Sequence, residues 1–164
     1  MSAQGQAGTT TGGGAPPVSA HFVNNVLAAA ASYIEDDPDL ARDVLAELGQ
    51  FLSYRLREDP APVTASQELA HTATYLRLQQ ARFPDRITVE LPPAEALPGG
   101  RMAPASIQGP IAEALGRRLR ERRGACILTV RPVPPGLEAE LTGAAGEDPE
   151  RVPITLNAHE EVVA

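Results

Sequence analysis

Apolar residues recur at helical spacing through the first half of the chain and change to strict alternation in the second. Phe22, Val26, Ala30 and Ile34 share one helical face, and Ser19, just after Pro16-Pro17, is placed to act as N-cap. His21 then falls in the first helical turn. The acidic run Asp36-Asp37-Pro38-Asp39 interrupts the pattern, since Asp37 can cap and Pro38 suits the first position of a new helix. A kink in one long helix and a hairpin of two both remain open. Leu40, Val44, Leu48, Phe51, Leu52 and Leu56 form a second stripe, ended by Asp59-Pro60-Ala61-Pro62. A third helix is expected from about Ser66 to Phe83, with Leu69, Ala73, Leu76 and Gln80 on one side and Pro84-Asp85 as its stop.

Ile87, Val89 and Leu91 alternate with polar residues and predict a strand. A Pro/Gly-rich connection from Pro92 to Gly100 leads to a helix expected from about Pro104 to Arg123. Cys126 to Val130 and Leu137 to Leu141 read as two further strands, joined by the proline-stiffened turn Pro132-Val133-Pro134-Pro135-Gly136. Residues 1–17 have no periodic apolar face and predict a disordered tail, and residues 158–164 a second tail. The expected fold class is α+β, with a helical bundle over residues 18–84 followed by a smaller α/β layer over residues 85–157.

Composition narrows this picture. Apolar residues make up 43% of the 164 and aromatics 4%, with no Trp, so the core must be small and mainly aliphatic, and a dimer would add burial. A net charge of −7 argues against nucleic acid as the main partner, because the phosphate backbone requires a basic face. No apolar run approaches the roughly 18 residues of a membrane span, and Met1 to Gly14 lacks the features of a secretory signal, so a soluble cytoplasmic protein is expected. Lone Cys126 reads as a buried small hydrophobe.

Several short motifs occur in one order: His21-Phe22-x-x-Asn25-x-Leu27, Phe51-x-x-Tyr54, Glu68-Leu69 followed by Tyr75-Leu76, Arg82-Phe83-x-Asp85-Arg86, and Pro104-x-x-x-Gln108. In that order and approximate spacing the chain resembles the internal region of LytS-type sensor histidine kinases, over most of Ser19 to about Glu150. The resemblance implies a helical dimerisation and histidine-phosphotransfer region joined to an ATP-binding domain of the gyrase type. It makes His21 the match to the phosphoacceptor and Asn25 a neighbour able to orient its ring, one helical turn away.

Departures from the family pattern fall in the nucleotide boxes. Where the family carries a Glu-Asn pair and then a His, this chain has Ala112-Glu113 and then Arg117. The adenine-reading Asp-x-Gly-x-Gly loop maps onto Thr142-Gly143-Ala144-Ala145-Gly146, in which Thr142 offers no carboxylate and Ala144 narrows the backbone approach. Arg151-Val152 leads directly into Ile154-Thr155-Leu156, leaving no room for a lid, and Gln79 replaces an expected Glu. The nucleotide positions Glu113, Thr142, Ala144 and Gly146 therefore read as eroded, with no cofactor or metal expected on this chain and autophosphorylation from ATP disfavoured.

Arg117, Arg118, Arg120, Arg122 and Arg123 are expected to complement a helix C-terminus in solvent, with docking of an acidic partner as the functional alternative. Arg82 and Arg86 are expected to pair with Asp85 or Glu90. His71 and His159 lack companions at metal-ligand spacing, and no nucleophile elbow or Walker loop occurs. The leading expectation is a dimeric histidine phosphotransferase that passes a phosphoryl group through His21 between response-regulator receivers, which would supply the Mg2+. The alternative is a non-catalytic pseudokinase that binds a sensor kinase or a response regulator.

Overall fold

The computed structural model describes residues 18–58, 61–121, 124–143 and 147–156. The expected tails at 1–17 and 158–164 lie outside the described residues. The acidic break resolves as a hairpin: α1 (Ala20–Tyr33) and α2 (Pro38–Arg55) pack against each other, and Phe22 near the start of one meets Phe51 near the end of the other. Asp37 accepts the Leu40 amide at 3.0 Å with Pro38 at the first helical position, as the local sequence dictates. Ser19 occupies the N-cap of α1 in an extended conformation, but its side chain accepts no capping hydrogen bond.

α3 (Ala65–Arg82) packs on both helices of the hairpin. It begins at a capping box: the Thr64 hydroxyl accepts the Gln67 amide while Gln67 Oε1 accepts the Thr64 amide. Its buried residues, Glu68, Leu69, Thr72, Tyr75, Leu76, Leu78 and Gln79 among them, lie on several faces. The one-sided stripe expected for this helix is too narrow, because α3 meets the hairpin, a later helix over Gln108–Arg120 and the first sheet strand at once. On α2 the reverse holds. Val44, Leu48 and Phe51 are buried, as are Ala41 and Tyr54, whereas Leu40 and Leu56, at the ends of the expected stripe, are exposed.

The second half forms a four-stranded sheet in the order β2 (Ile87–Glu90), β4 (Cys126–Val133), β5 (Gly136–Thr142) and β6 (Glu150–Ile154). β2 and β4 run parallel, and the other pairs are antiparallel. A parallel pair needs a crossover, and α4 (Gln108–Arg120) supplies it, packing on β6 and on α3. Cys126, Leu128, Val130, Leu137, Ala139, Leu141 and Ile154 alternate into the core. The opposite face is polar, with Thr129 donating to Glu90 and Arg151 to Glu140. α4 is shorter than the expected 104–123 helix. The chain turns through Ala103–Ile107, with Ala105 in the left-handed region at φ 64°, before helical geometry starts. A two-residue ribbon pairs β1 (Val63–Thr64) with β3 (Arg101–Met102) and ties the start of α3 to the loop before α4.

Buried side chains of the helices and the sheet form one continuous cluster. Leu78 is fully buried within it, so Leu78→Ala is expected to destabilise the chain by about 2–5 kcal/mol. Leu56 is 64% exposed, and Leu56→Ala should stay within about 0.5 kcal/mol in the same denaturant titration.

Candidate functional site

His21 stands exposed in the first turn of α1, and Asn25 Nδ2 lies 2.9 Å from its Nε2. The neighbouring Phe22 fixes the rotation of the helix. Its ring lies 5.3 Å from that of Phe51 and 5.5 Å from that of Tyr75, which turns His21 and Asn25 toward a cleft between α1, α3 and α4. The cleft has a volume of about 530 Å3. Arg55, Gln79, Arg82, Gln108 and Arg120 are among the residues that line it.

Arg82 does not pair with Asp85 or Glu90, contrary to expectation. Its guanidinium lies 5.4 Å above the Phe22 ring centre and 5.0 Å above that of Phe83, and its Nη1 donates to Gln79 Oε1 at 2.8 Å. Burial pulls its pKa below the ordinary arginine value, with the Tyr75 hydroxyl opposing that shift. Gln79, standing where a Glu was expected, also donates to the Tyr75 hydroxyl at 2.6 Å. Burial raises the Tyr75 pKa, so that hydroxyl keeps its proton.

Behind the cleft lies a polar network that sequence reasoning did not anticipate. Glu68 is fully buried. One of its carboxyl oxygens accepts the Tyr54 hydroxyl at 2.5 Å, and the other accepts the Gln108 backbone amide at 3.3 Å, at the first position of α4. The carboxyl thus occupies the N-terminal end of that helix, where orphan amides and the helix dipole favour it. Arg55 donates to the Gln108 side chain at 3.1 Å and extends the network into the cleft. His71 stacks on Tyr54 with ring centres 3.4 Å apart.

The positions matched to the eroded nucleotide boxes make the following contacts. Glu113 is exposed on α4 and pairs with Arg117 at 3.9 Å, and the Thr142 hydroxyl lies 3.5 Å from the Ile127 carbonyl at the end of β5. Ala144 and Gly146 lie outside the described residues. The arginine cluster is not uniformly solvated. Arg117 pairs with Glu150, whereas Arg118 is 2% exposed and holds Glu147 at 2.7 Å beside Gly143. Arg122 and Arg123 are outside the described residues. Cys126 is buried, and desolvation raises its thiol pKa, so an inert role fits. Among the described residues no cluster of His, Cys, Asp or Glu could hold a metal ion, and no helix is long and apolar enough to cross a membrane.

Comparison with known proteins finds similarity over the same residues. Residues 17–87, the three helices that carry and brace His21, match the histidine kinase family model. The sensor histidine kinase YpdA of Escherichia coli strain K12 is 34% identical over 73 residues, 44% of this chain and 13% of the relative. The sensor protein LytS of Staphylococcus haemolyticus is 28% identical over 141 residues, 84% of this chain and 24% of the relative. LytS of Enterococcus faecalis is 32% identical over 92 residues, 56% of this chain and 16% of the relative. The helical half of the chain is therefore similar to the histidine kinase class. Within that class its kinship is with the LytS-type sensor histidine kinases. The chain spans a quarter or less of the length of these relatives.

Two expectations test the network. Tyr54→Phe removes a donor from a buried carboxyl and should cost about 1.5–3 kcal/mol by chemical denaturation. Desolvation, reinforced by Arg57 and opposed by Glu68, holds the folded His71 pKa below its ordinary value. Below about pH 6.5 the unfolded chain therefore binds the proton more readily, and stability is lost as pH falls through that value. His71→Phe, which keeps a ring on Tyr54, should flatten the fall in melting temperature between about pH 7.5 and 5.5.

Proposed function

We propose that this chain acts in two-component signal transduction as a histidine phosphotransferase, with His21 taking a phosphoryl group from one receiver aspartate and passing it to another. The observation that carries this reading is the His21–Asn25 pair on an exposed helical turn, inside the segment that matches the histidine kinase family. With Asn25 Nδ2 as donor, the ring proton sits on Nδ1 and the Nε2 lone pair accepts the Asn25 hydrogen bond. That lone pair forms the N–P bond as the P–O bond to the receiver aspartate breaks and the carboxylate departs. Asn25 releases the nitrogen during attack and can then donate to a phosphoryl oxygen.

The receiver supplies Mg2+ and the aspartate, so the chemistry asks this chain mainly for positioning. Loss of the expected nucleotide groups at Glu113 and Thr142 weighs against phosphorylation from ATP. On this reading the sheet and α4 are a reduced descendant of the ATP-binding domain, and the protein works in the cytoplasm.

The second reading is a pseudokinase that regulates a sensor kinase or response regulator by binding alone. It is favoured by Leu27, Ile34, Leu45 and Leu56, which leave apolar surface uncovered on α1 and α2. That surface suits a helical homodimer or a mixed dimer with a sensor kinase.

Receivers phosphorylated on aspartate separate the two readings when acid-labile, base-stable phosphate on this chain is followed. Phosphotransfer predicts such phosphate on the wild type, none on His21→Ala, and transfer slowed about tenfold in Asn25→Ala. Equal labelling of His21→Ala would remove His21 from the mechanism, and an unphosphorylated wild type that still bound the receiver would favour the pseudokinase.

A further inference from the structure

The cleft beside His21 has a composition that phosphoryl transfer does not require. All three phenylalanines of the chain line it or its rim, Phe22, Phe51 and Phe83, together with Tyr75. In a protein with 4% aromatic residues, this gathers most of the ring surface in one place. The lining also carries three guanidinium groups, Arg55, Arg82 and Arg120, and no carboxylate, although the chain as a whole has a net charge of −7. The chain contains no lysine, and arginine's weak hydration and forked donors suit it to recognise carboxylate, sulfonate or phosphate oxygens.

Arg82 and Arg120 line the cleft from two different helices, α3 and α4. Among the described residues neither forms an ion pair with a carboxylate. Arg82 is half-buried over two rings, with Gln79 as its hydrogen-bonding partner. A partly desolvated cation with no countercharge, set in an aromatic wall, gives an incoming anion a direct electrostatic gain. A volume of about 530 Å3 falls within the range of small-molecule sites, which are mostly apolar with a few convergent polar groups.

We propose that this cleft binds a small anionic molecule with an aromatic or similarly flat apolar body. The rings of Phe22, Phe51 and Phe83 take the body, and Arg82 and Arg120 clamp the anionic group. An occupant lies against His21 and Asn25, which line the same cleft, so occupancy and access of a partner to His21 exclude each other. The site is thus a point of small-molecule control. It stands on the cleft alone and holds whether or not His21 carries a phosphoryl group.

Anilinonaphthalene sulfonate, an aromatic amine bearing one sulfonate, serves as the probe, and phenylnaphthylamine, the same rings without the charge, as its comparison. The wild type should bind the sulfonate at one per chain, with NMR shift changes centred on His21, Phe22 and Asn25, and the neutral probe at least about tenfold more weakly. Arg120→Gln should weaken sulfonate binding about tenfold and leave the neutral probe unchanged, and Arg82→Gln should add to that loss. Ala112→Phe, which fills the wall of the cleft, should abolish both, whereas Arg131→Gln on the exposed part of β4 should change neither. Arg120 is exposed, so its variant keeps the fold, and circular dichroism checks the others. Sulfonate binding that is insensitive to Arg120→Gln and Arg82→Gln, that has no fixed stoichiometry, or that shifts resonances away from α1 would overturn the proposal.

Discussion

The buried carboxyl of Glu68 is the constraint around which the rest of this structure is arranged. A carboxyl group with no solvent exposure is tolerable only when its oxygens are satisfied, and here the donors come from two distant parts of the chain. Tyr54 reaches it from α2, and the first amide of α4 reaches it from the far side of the β1–β3 ribbon. Satisfying Glu68 therefore fixes where α4 begins and how it meets α3. The cleft follows from that placement, because those two helices line it together with the turn that bears His21 and the end of α2.

Local signals in the sequence were legible and distant ones were not. The start of α2 could be read because Asp37 and Pro38 act on their own neighbours. The Thr64–Gln67 capping box, also local, moves the start of α3 slightly ahead of the expected Ser66. The parallel β2–β4 pair was foreshadowed by strand, helix and strand in that order. β6 was not legible while Arg151 to Leu156 was read only as leaving no room for a lid. Yet its alternating burial and the proline at position 153 suit an edge strand.

The candidate site divides the same way. His21 and Asn25 were legible because a hydrogen bond four residues apart on a helix is a property of spacing. Glu68, by contrast, looks from the sequence like any acidic residue in a first helical turn. Its burial depends on partners 14 and 40 positions away. Arg82 was assigned to nearby carboxylates for want of any sign that Phe22, sixty residues earlier, would lie beneath it. Sequence distance hides such contacts because nothing in the local pattern records them.

The capping of α1 has a further consequence. Ser19 makes no side-chain cap, and the first turn holds no acidic residue, so the usual local means of holding a helix start are missing there. What anchors that turn is the packing of Phe22 against Phe51 and Tyr75. The histidine is consequently held by one aromatic side chain in a turn that would otherwise fray. Its presentation is therefore coupled to the packing at the centre of the bundle, and a disturbance at α3 would reach it as a loosening of its own helix end.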